Sequence, residues 1–299
     1  MSSIEHASQR NVSSNMPNMS EREKVAHLLR RFGLGASELE LDYYAAAGYA
    51  SAVDKLIAYE QVAEDFTLTP QTFAPKERPL NMPGVVASWV LRMLMTKRPL
   101  QEKMTLFWHD HFATSASKVA APLTMWRQNE VLRENATGKF RQLLGQVSED
   151  PAMIFWLDNQ ENVKGKPNEN FAREVMELFT LGIGNYTEKD VQEAARAFTG
   201  WSIQRLNREQ SLLKNRQSEF LFRPLRHDGG TKTVLGRTGN LSGDDVLDIL
   251  CERPRTAEYL TTKIWEWFVY PNPSKAIVDQ FSRTFRDSGL HVGTLLKAI

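Results

Sequence analysis

The sequence has little of what several classes of site require. It contains one cysteine among 299 residues, Cys251, which excludes an intramolecular disulfide and any zinc or iron-sulfur site built from several thiolates. A bound metal would therefore need histidines and carboxylates as ligands. The longest apolar run, PGVVASWVLRMLM, is interrupted by Arg92 and is too short to cross a bilayer. We therefore expect no membrane span.

The chain also has no large excess of positive or negative charge. The chain carries 37 Lys and Arg against 36 Asp and Glu, a formal net charge of +1. No overall field attracts a polyanion, so we expect no nucleic-acid partner. Residues 1–19 are polar and have no apolar segment typical of a secretory signal, which predicts a cytoplasmic protein with a disordered tail at 1–19.

Helix signals dominate the remaining residues. Ser or Thr followed three residues later by Glu or Asp predicts a helix start at four places: Ser20 with Glu23, Ser37 with Glu40, Thr187 with Asp190, and Ser242 with Asp245. Short alternating runs in WSIQRL, SEFLFRP and TKTVLG predict strands. The sequence thus predicts a mainly α, multi-helix globular domain over 20–299, with a small β hairpin or meander near 201–237. The final HVGTLLKAI begins an amphipathic pattern, so we expect a truncated C-terminus.

Two histidines stand among large apolar side chains in TLFWHDHFATS, residues 105–115. In a helix, His109 and His111 project about 200° apart and can ligate one metal only if the helix ends between them. The surrounding Leu, Phe and Trp residues predict a buried helix, in which both imidazoles need polar partners.

Carboxylates that could be those partners occur in NENFAREVMELFTLG, residues 168–182. On a helical wheel Glu174 falls between Leu178 and Leu181 inside the apolar arc, where an unpaired charge is costly. Glu177 lies at the edge of that arc. Arg173 is placed to pair with acidic residues four positions away on either side.

A third polar group is the turn RHDGG, where His227 and Asp228 precede two glycines. Glycine allows a backbone to approach a ligand closely. Neither the Walker pattern nor the dinucleotide-binding glycine pattern surrounds this turn, so phosphate binding is only weakly indicated.

Three interpretations of these residues stay open. In the first, His109, His111 and Glu174 bind zinc, iron(II) or manganese(II), Glu177 orients a ligand or acts as base, and His227 with Asp228 forms an acid/base pair. In the second, the same residues form a metal-free acid/base site. In the third, they form a buried polar network of a non-catalytic binding or assembly protein. The metalloprotease pattern H-E-x-x-H is not present.

Several long segments together resemble one family. AHLLRRFGLG, FWHDHFATS, NENFAREVMELFTLGIGNYTEKDVQEAARAFTGW, RHDGGTKTVLG and GDDVLDIL are similar to the bacterial domain of unknown function 1800 family, from about residue 20 to the end. The resemblance implies a largely helical protein without an assigned activity. It also implies longer relatives, many of them exported, and a sulfatase-like partner in the same pathway.

The resemblance indicates which residues match the family's motifs, but it assigns no role to them. The positions that match the family's motifs are His27, His109, His111, Arg173, Glu174, Glu177, His227, Asp228 and Lys232. We interpret Arg173, Lys232 and His27 as candidate substrate-binding residues. Many relatives have a histidine where this chain has Phe179, so a family site that requires that histidine would be incomplete here. Our working interpretation is an enzyme whose buried histidine and carboxylate site binds a divalent metal and activates water or a small substrate. The alternative is a non-catalytic binding or assembly protein in which these residues form a structural polar core.

Overall fold

The computed structural model describes residues 19–73, 80–214 and 216–299. Residues 1–18 of the predicted disordered tail lie outside this description. Within it, sixteen α-helices surround a large core, and the strands form two small antiparallel pairs. The prediction of a mainly α fold with a small β portion is confirmed.

The helices and strands follow one another along the chain in the following order. The first helices are α1 (Glu21–Phe32), α2 (Glu38–Ala45), α3 (Gly48–Ile57), α4 (Met82–Met95), α5 (Pro99–His111) and α6 (Ala116–Val119). The next are α7 (Pro122–Glu134), α8 (Phe140–Ser148), α9 (Pro151–Trp156), α10 (Asn170–Glu174) and α11 (Glu188–Ala197). The β region contains β1 (Trp201–Arg205), α12 (Arg208–Lys214), β2 (Ser218–Phe222), β3 (Lys232–Val234) and β4 (Arg237–Gly239). The last are α13 (Gly243–Glu252), α14 (Pro254–Phe268), α15 (Lys275–Asp287) and α16 (Val292–Ala298).

The four predicted helix starts are all real capping boxes. In each, the Ser or Thr side chain accepts a hydrogen bond from a backbone N–H in the first turn, and the acidic side chain accepts one from the cap residue's own N–H. These bonds satisfy donors that the helix itself leaves free. The local sequence therefore decides where α1, α2, α11 and α13 begin.

The β region is two separate hairpins. β1 pairs with β2 from Trp201 opposite Phe222 to Arg205 opposite Ser218, and α12 connects them. β3 pairs with β4, with Lys232 opposite Gly239. Neither pair hydrogen-bonds to the other, so the region is not a single meander.

The segment after α10 departs from α geometry. Val175–Thr180 is π-helical, and the N–H of Leu181 donates to the carbonyl of Met176 at 2.8 Å. The extra residue in each hydrogen-bonded ring rotates later side chains away from their α positions. The expected arc of Glu174, Leu178 and Leu181 is therefore wrong, because Leu178 is 47% exposed while Leu181 is buried.

One cluster of buried apolar side chains connects the ends of the described chain, from Val25 in α1 to Leu296 in α16. Large rings such as Trp108 and Phe140 lie at its centre and are fully buried. Burial of this kind is the dominant favourable contribution to folding. None of the helices in the described residues combines the length and apolar character needed to cross a bilayer.

Candidate functional site

Helices α4, α5 and α7 line a cavity of about 250 Å³ together with residues from the segment that precedes α4. An engineered apolar cavity of roughly 150 Å³ already takes up benzene. The space therefore fits a compact ring-containing molecule. We call it the α4–α5–α7 cavity.

The walls of this cavity are mainly apolar and aromatic. The helices and the preceding segment contribute Phe66, Met82, Val85, Trp89, Met125 and Trp126. Gly84 lets α4 lie close to the Pro70–Phe73 turn, because an added Cβ would stand 3.1 Å from the carbonyl oxygen of Pro70. Apolar walls with a few polar groups are typical of small-molecule sites.

A buried ion pair joins α5 to α7 beside the cavity. Arg133 in α7 donates through Nε to Oε1 of Glu102 in α5 at 2.5 Å, and through Nη2 to Oε2 at 3.0 Å. Both side chains are at most 5% exposed. The indole N–H of Trp89 also donates to Glu102, at 3.1 Å. This network fixes the Trp89 ring and joins α4, α5 and α7.

His109 lies on the cavity wall and is the predicted site residue that the structure places best for chemistry. Its ring meets the edge of Trp89 at a centroid distance of 4.9 Å. It makes no hydrogen bond to any other described residue. Burial lowers the pKa of His109, and the Asp110 charge opposes this only in part. The imidazole is therefore neutral near pH 7, with one N–H donor and one lone pair available.

His111 lies in a different environment. It is 6% exposed, and its Nε2–H donates to the carbonyl oxygen of Phe179 at 3.1 Å. Phe107, Trp108 and Phe112 surround the ring. Burial, followed by the Lys263 charge, lowers the pKa of His111 to about 3. It is therefore a neutral, buried histidine, and its Nδ1 has no hydrogen-bond partner among the described residues.

The predicted ligand set of His109, His111 and Glu174 is not assembled. Among the residues that the structure describes, no three His, Cys, Asp or Glu side chains are grouped so as to hold a metal ion. The physical reason follows from α5, which continues through His111 and therefore turns the two histidines in different directions. His109 lines the cavity, whereas Nε2 of His111 is committed to the Phe179 carbonyl.

The carboxylates near residue 174 form a separate surface group. Glu174 is partly buried, and its pKa is raised by burial and then by the Glu177 charge. Glu177 accepts a hydrogen bond from the Tyr186 hydroxyl. Arg173 pairs with Glu169 at 3.2 Å, as predicted, but its second partner is Glu188, at 2.7 Å, in place of Glu177.

The turn at 227 is tied to α11. The Nδ1–H of His227 donates to the Thr199 carbonyl at 2.9 Å. Asp228 accepts from Nε of Arg196 at 2.8 Å and from the Gly230 N–H, and the Arg196 bond lowers its pKa to about 2. The side chains of His227 and Asp228 therefore bond to separate partners and not to each other.

The predicted substrate-binding residues are dispersed. Lys232 is 1% exposed, and its Nζ donates to the Leu241 carbonyl at 2.8 Å. Burial lowers the pKa of Lys232. His27 is exposed on α1. Phe179, where many relatives have histidine, is buried with its ring 6.1 Å from that of His111.

Sequence reasoning missed most of the cavity. Glu102 and Arg133 sit at buried positions of α5 and α7 that a wheel assigns to the core. Arg92 stood out only as the charge inside an apolar run, and that was the signal that could have identified it. Spacing along one helix does not reveal which other helix a buried charge meets.

Fold and site together define a mainly α-helical protein with an aromatic-walled cavity, lined by a histidine whose ring bonds to no other described residue. The chain belongs to the family described as "Protein of unknown function (DUF1800)", whose model it matches over residues 27–299. No curated protein and no solved structure matches the chain. Family membership is shown, and any activity has to be argued from the site.

Proposed function

We propose that the protein is an enzyme that takes a compact, mainly apolar molecule into the α4–α5–α7 cavity and transfers a proton through His109. The observation that carries the proposal is the state of His109, a neutral imidazole with no hydrogen bond to another described residue, on the wall of a cavity. His109 is partly buried, and its ring nitrogens bond to no other described residue, so they are available to a ligand in the cavity.

The surroundings of His109 favour proton transfer. A neutral imidazole can accept a proton at one nitrogen while donating from the other. The apolar walls formed by Trp89 and Met125 offer few polar groups that would compete with His109 for a ligand. The Trp89 ring, fixed by Glu102, keeps the imidazole in one orientation.

Phenol and toluene test the binding step because they have nearly the same shape and differ in one hydroxyl. Isothermal titration calorimetry should show that both bind the wild-type protein. His109→Phe keeps an aromatic ring against Trp89 but removes the hydrogen-bonding nitrogens. We expect it to weaken phenol binding about tenfold, the value of one lost hydrogen bond, and to change toluene binding by less than about threefold.

Two results would contradict the proposal. Failure of both probes to bind would show that the cavity is not a ligand site. Equal phenol affinity in wild type and His109→Phe would show that His109 does not meet the ligand. His27→Phe, which changes an exposed histidine on α1, is the matched control and should leave both affinities unchanged.

A second role, that of a structural polar core, is favoured for His111 by its burial and its bond to Phe179. The proposed activity thus uses one histidine of the FWHDHF segment and not the other. We expect His111 variants to lose stability while the fraction that stays folded still binds phenol.

The sulfatase-like partner and the cytoplasmic location stay predictions. Their support is the family resemblance for the first and the polar N-terminal segment for the second. Co-purification of the tagged protein with a sulfatase-like protein from its own host would test the partner.

A further inference from the structure

The α4–α5–α7 cavity contains one cationic group that nothing in the described protein neutralises. Arg92, in α4, lines the cavity and is half-buried. Its guanidinium carbon lies 4.7 Å from the centroid of the Phe66 ring. Among the residues that the structure describes, its guanidinium group has no ion pair and no hydrogen bond.

The other charges on the cavity wall are already paired. Arg133 donates to Glu102, and also to Glu130 at 2.6 Å. Its Nη2 further donates to Oδ1 of Asn129 at 2.7 Å. Arg133 and its acidic neighbours thus satisfy one another, which leaves Arg92 as the unpaired charge.

The way in which Arg92 packs leaves its donors available. The guanidinium carbon lies over the Phe66 ring, and the N–H groups bond to no described residue, so they stay free to donate. The planar fork of a guanidinium group matches the two oxygens of a carboxylate. Stacking also restricts the side chain, so less conformational freedom is lost when an anion binds.

We propose that the substrate of this cavity is a compact monocarboxylic acid with an apolar body, whose carboxylate binds Arg92 while the body packs between Trp89 and Met125. The inference rests on the proposed function, because it uses the same cavity and places the rest of the molecule within reach of His109. Arg92 is the residue that selects acids over neutral molecules of the same shape.

Phenylacetate and phenylacetamide test this selection, since they differ in charge at one group and hardly in shape. We expect calorimetry to show phenylacetate binding the wild type at least about tenfold more tightly than phenylacetamide. Arg92→Met retains an unbranched apolar stem over Phe66 and should abolish that preference. Arg92→Lys keeps the charge without the fork and should retain only part of it.

Toluene separates the two proposals. If toluene binds both wild type and Arg92→Met, the cavity is a ligand site and Arg92→Met is folded, and the acid preference then decides the inference alone. Equal affinity for phenylacetate and phenylacetamide in a wild type that binds toluene would overturn the acid assignment and leave the proposed function standing. If neither phenol nor toluene binds, the proposed function and the acid assignment both fail.

Discussion

At the scale of single residues, burial decides how the titratable groups behave. His111 has a pKa of about 3 in the folded protein because its ring is enclosed by aromatic side chains. Between about pH 6.5 and pH 3 the unfolded chain binds a proton that the folded protein does not. Stability therefore falls as pH falls through this window, by up to about 1.4 kcal/mol per pH unit.

His111→Gln should remove that dependence, because glutamine does not titrate while its amide can still donate to the Phe179 carbonyl. Urea unfolding at pH 7 and at pH 5 measures it. We expect a smaller loss of stability on acidification in His111→Gln than in wild type. The control His27→Gln, at an exposed position, should behave as wild type, and an unchanged slope in His111→Gln would contradict the burial argument.

The ionisation of Asp150 makes stability depend on pH in the opposite direction. The Asp150 side chain caps α9 by accepting from the backbone N–H groups of Ala152 and Met153, and it also accepts from Gln128. Burial raises the pKa of Asp150 to about 7. The folded protein holds a proton that the unfolded chain loses above about pH 3.8, so this group's contribution to stability is lost as pH rises towards 7.

Asp150→Asn should therefore stabilise the protein at pH 8. Asparagine keeps the cap and the accepted bonds but has no charge to bury, and we expect a gain on the order of 1–3 kcal/mol that vanishes near pH 4. Chemical denaturation at the two pH values checks this. Asp287→Asn, an exposed position on α15, is the control. A gain independent of pH would point to a cause other than ionisation.

At the scale of helices, the Glu102–Arg133 ion pair joins α5 to α7, and Arg133 lines the cavity. Arg133→Met leaves Glu102 buried without its cation, and we expect a loss of about 3–5 kcal/mol in the free energy of unfolding. Glu102→Leu combined with Arg133→Met removes both charges and should recover a large part of that loss. A double-mutant cycle by urea unfolding measures it, and an additive double variant would argue against direct coupling.

The sequence predicted helices well where the signal is local. Ser20, Ser37, Thr187 and Ser242 each mark a real helix start because their capping bonds are formed within four residues. The π-helical segment Val175–Thr180 was not predicted, since it depends on packing against other elements and carries no comparable local signature. The wheel placement of Glu174 was wrong for that reason.

Sites depend on contacts between helices, which the sequence of a single helix does not show. His109 stands out in the sequence as a polar residue in an apolar setting, but the elements α4 and α7 that line the cavity with it lie at other places in the chain. Glu102, Asn129 and Arg133 meet only after α5 and α7 pack. Helical periodicity describes one helix at a time, so it does not show which side chains of two helices meet.

At the scale of the whole molecule, the continuous core from α1 to α16 indicates that the chain unfolds as one unit. We expect the urea transitions followed by tryptophan fluorescence and by far-ultraviolet circular dichroism to coincide. The measurement uses the full chain at two protein concentrations. Two separate transitions would show independent units and contradict the prediction of a single domain over 20–299.

The proposed function requires a ligand in the α4–α5–α7 cavity beside His109. A crystal structure with 4-bromophenol tests this most directly, because the anomalous signal of bromine locates the probe without reference to the protein model. If the proposed function is correct, we expect one bromine peak inside the cavity near Trp89, with the phenol oxygen within hydrogen-bonding distance of a His109 ring nitrogen. A probe bound only elsewhere, with the cavity closed or filled by the protein's own side chains, would contradict it.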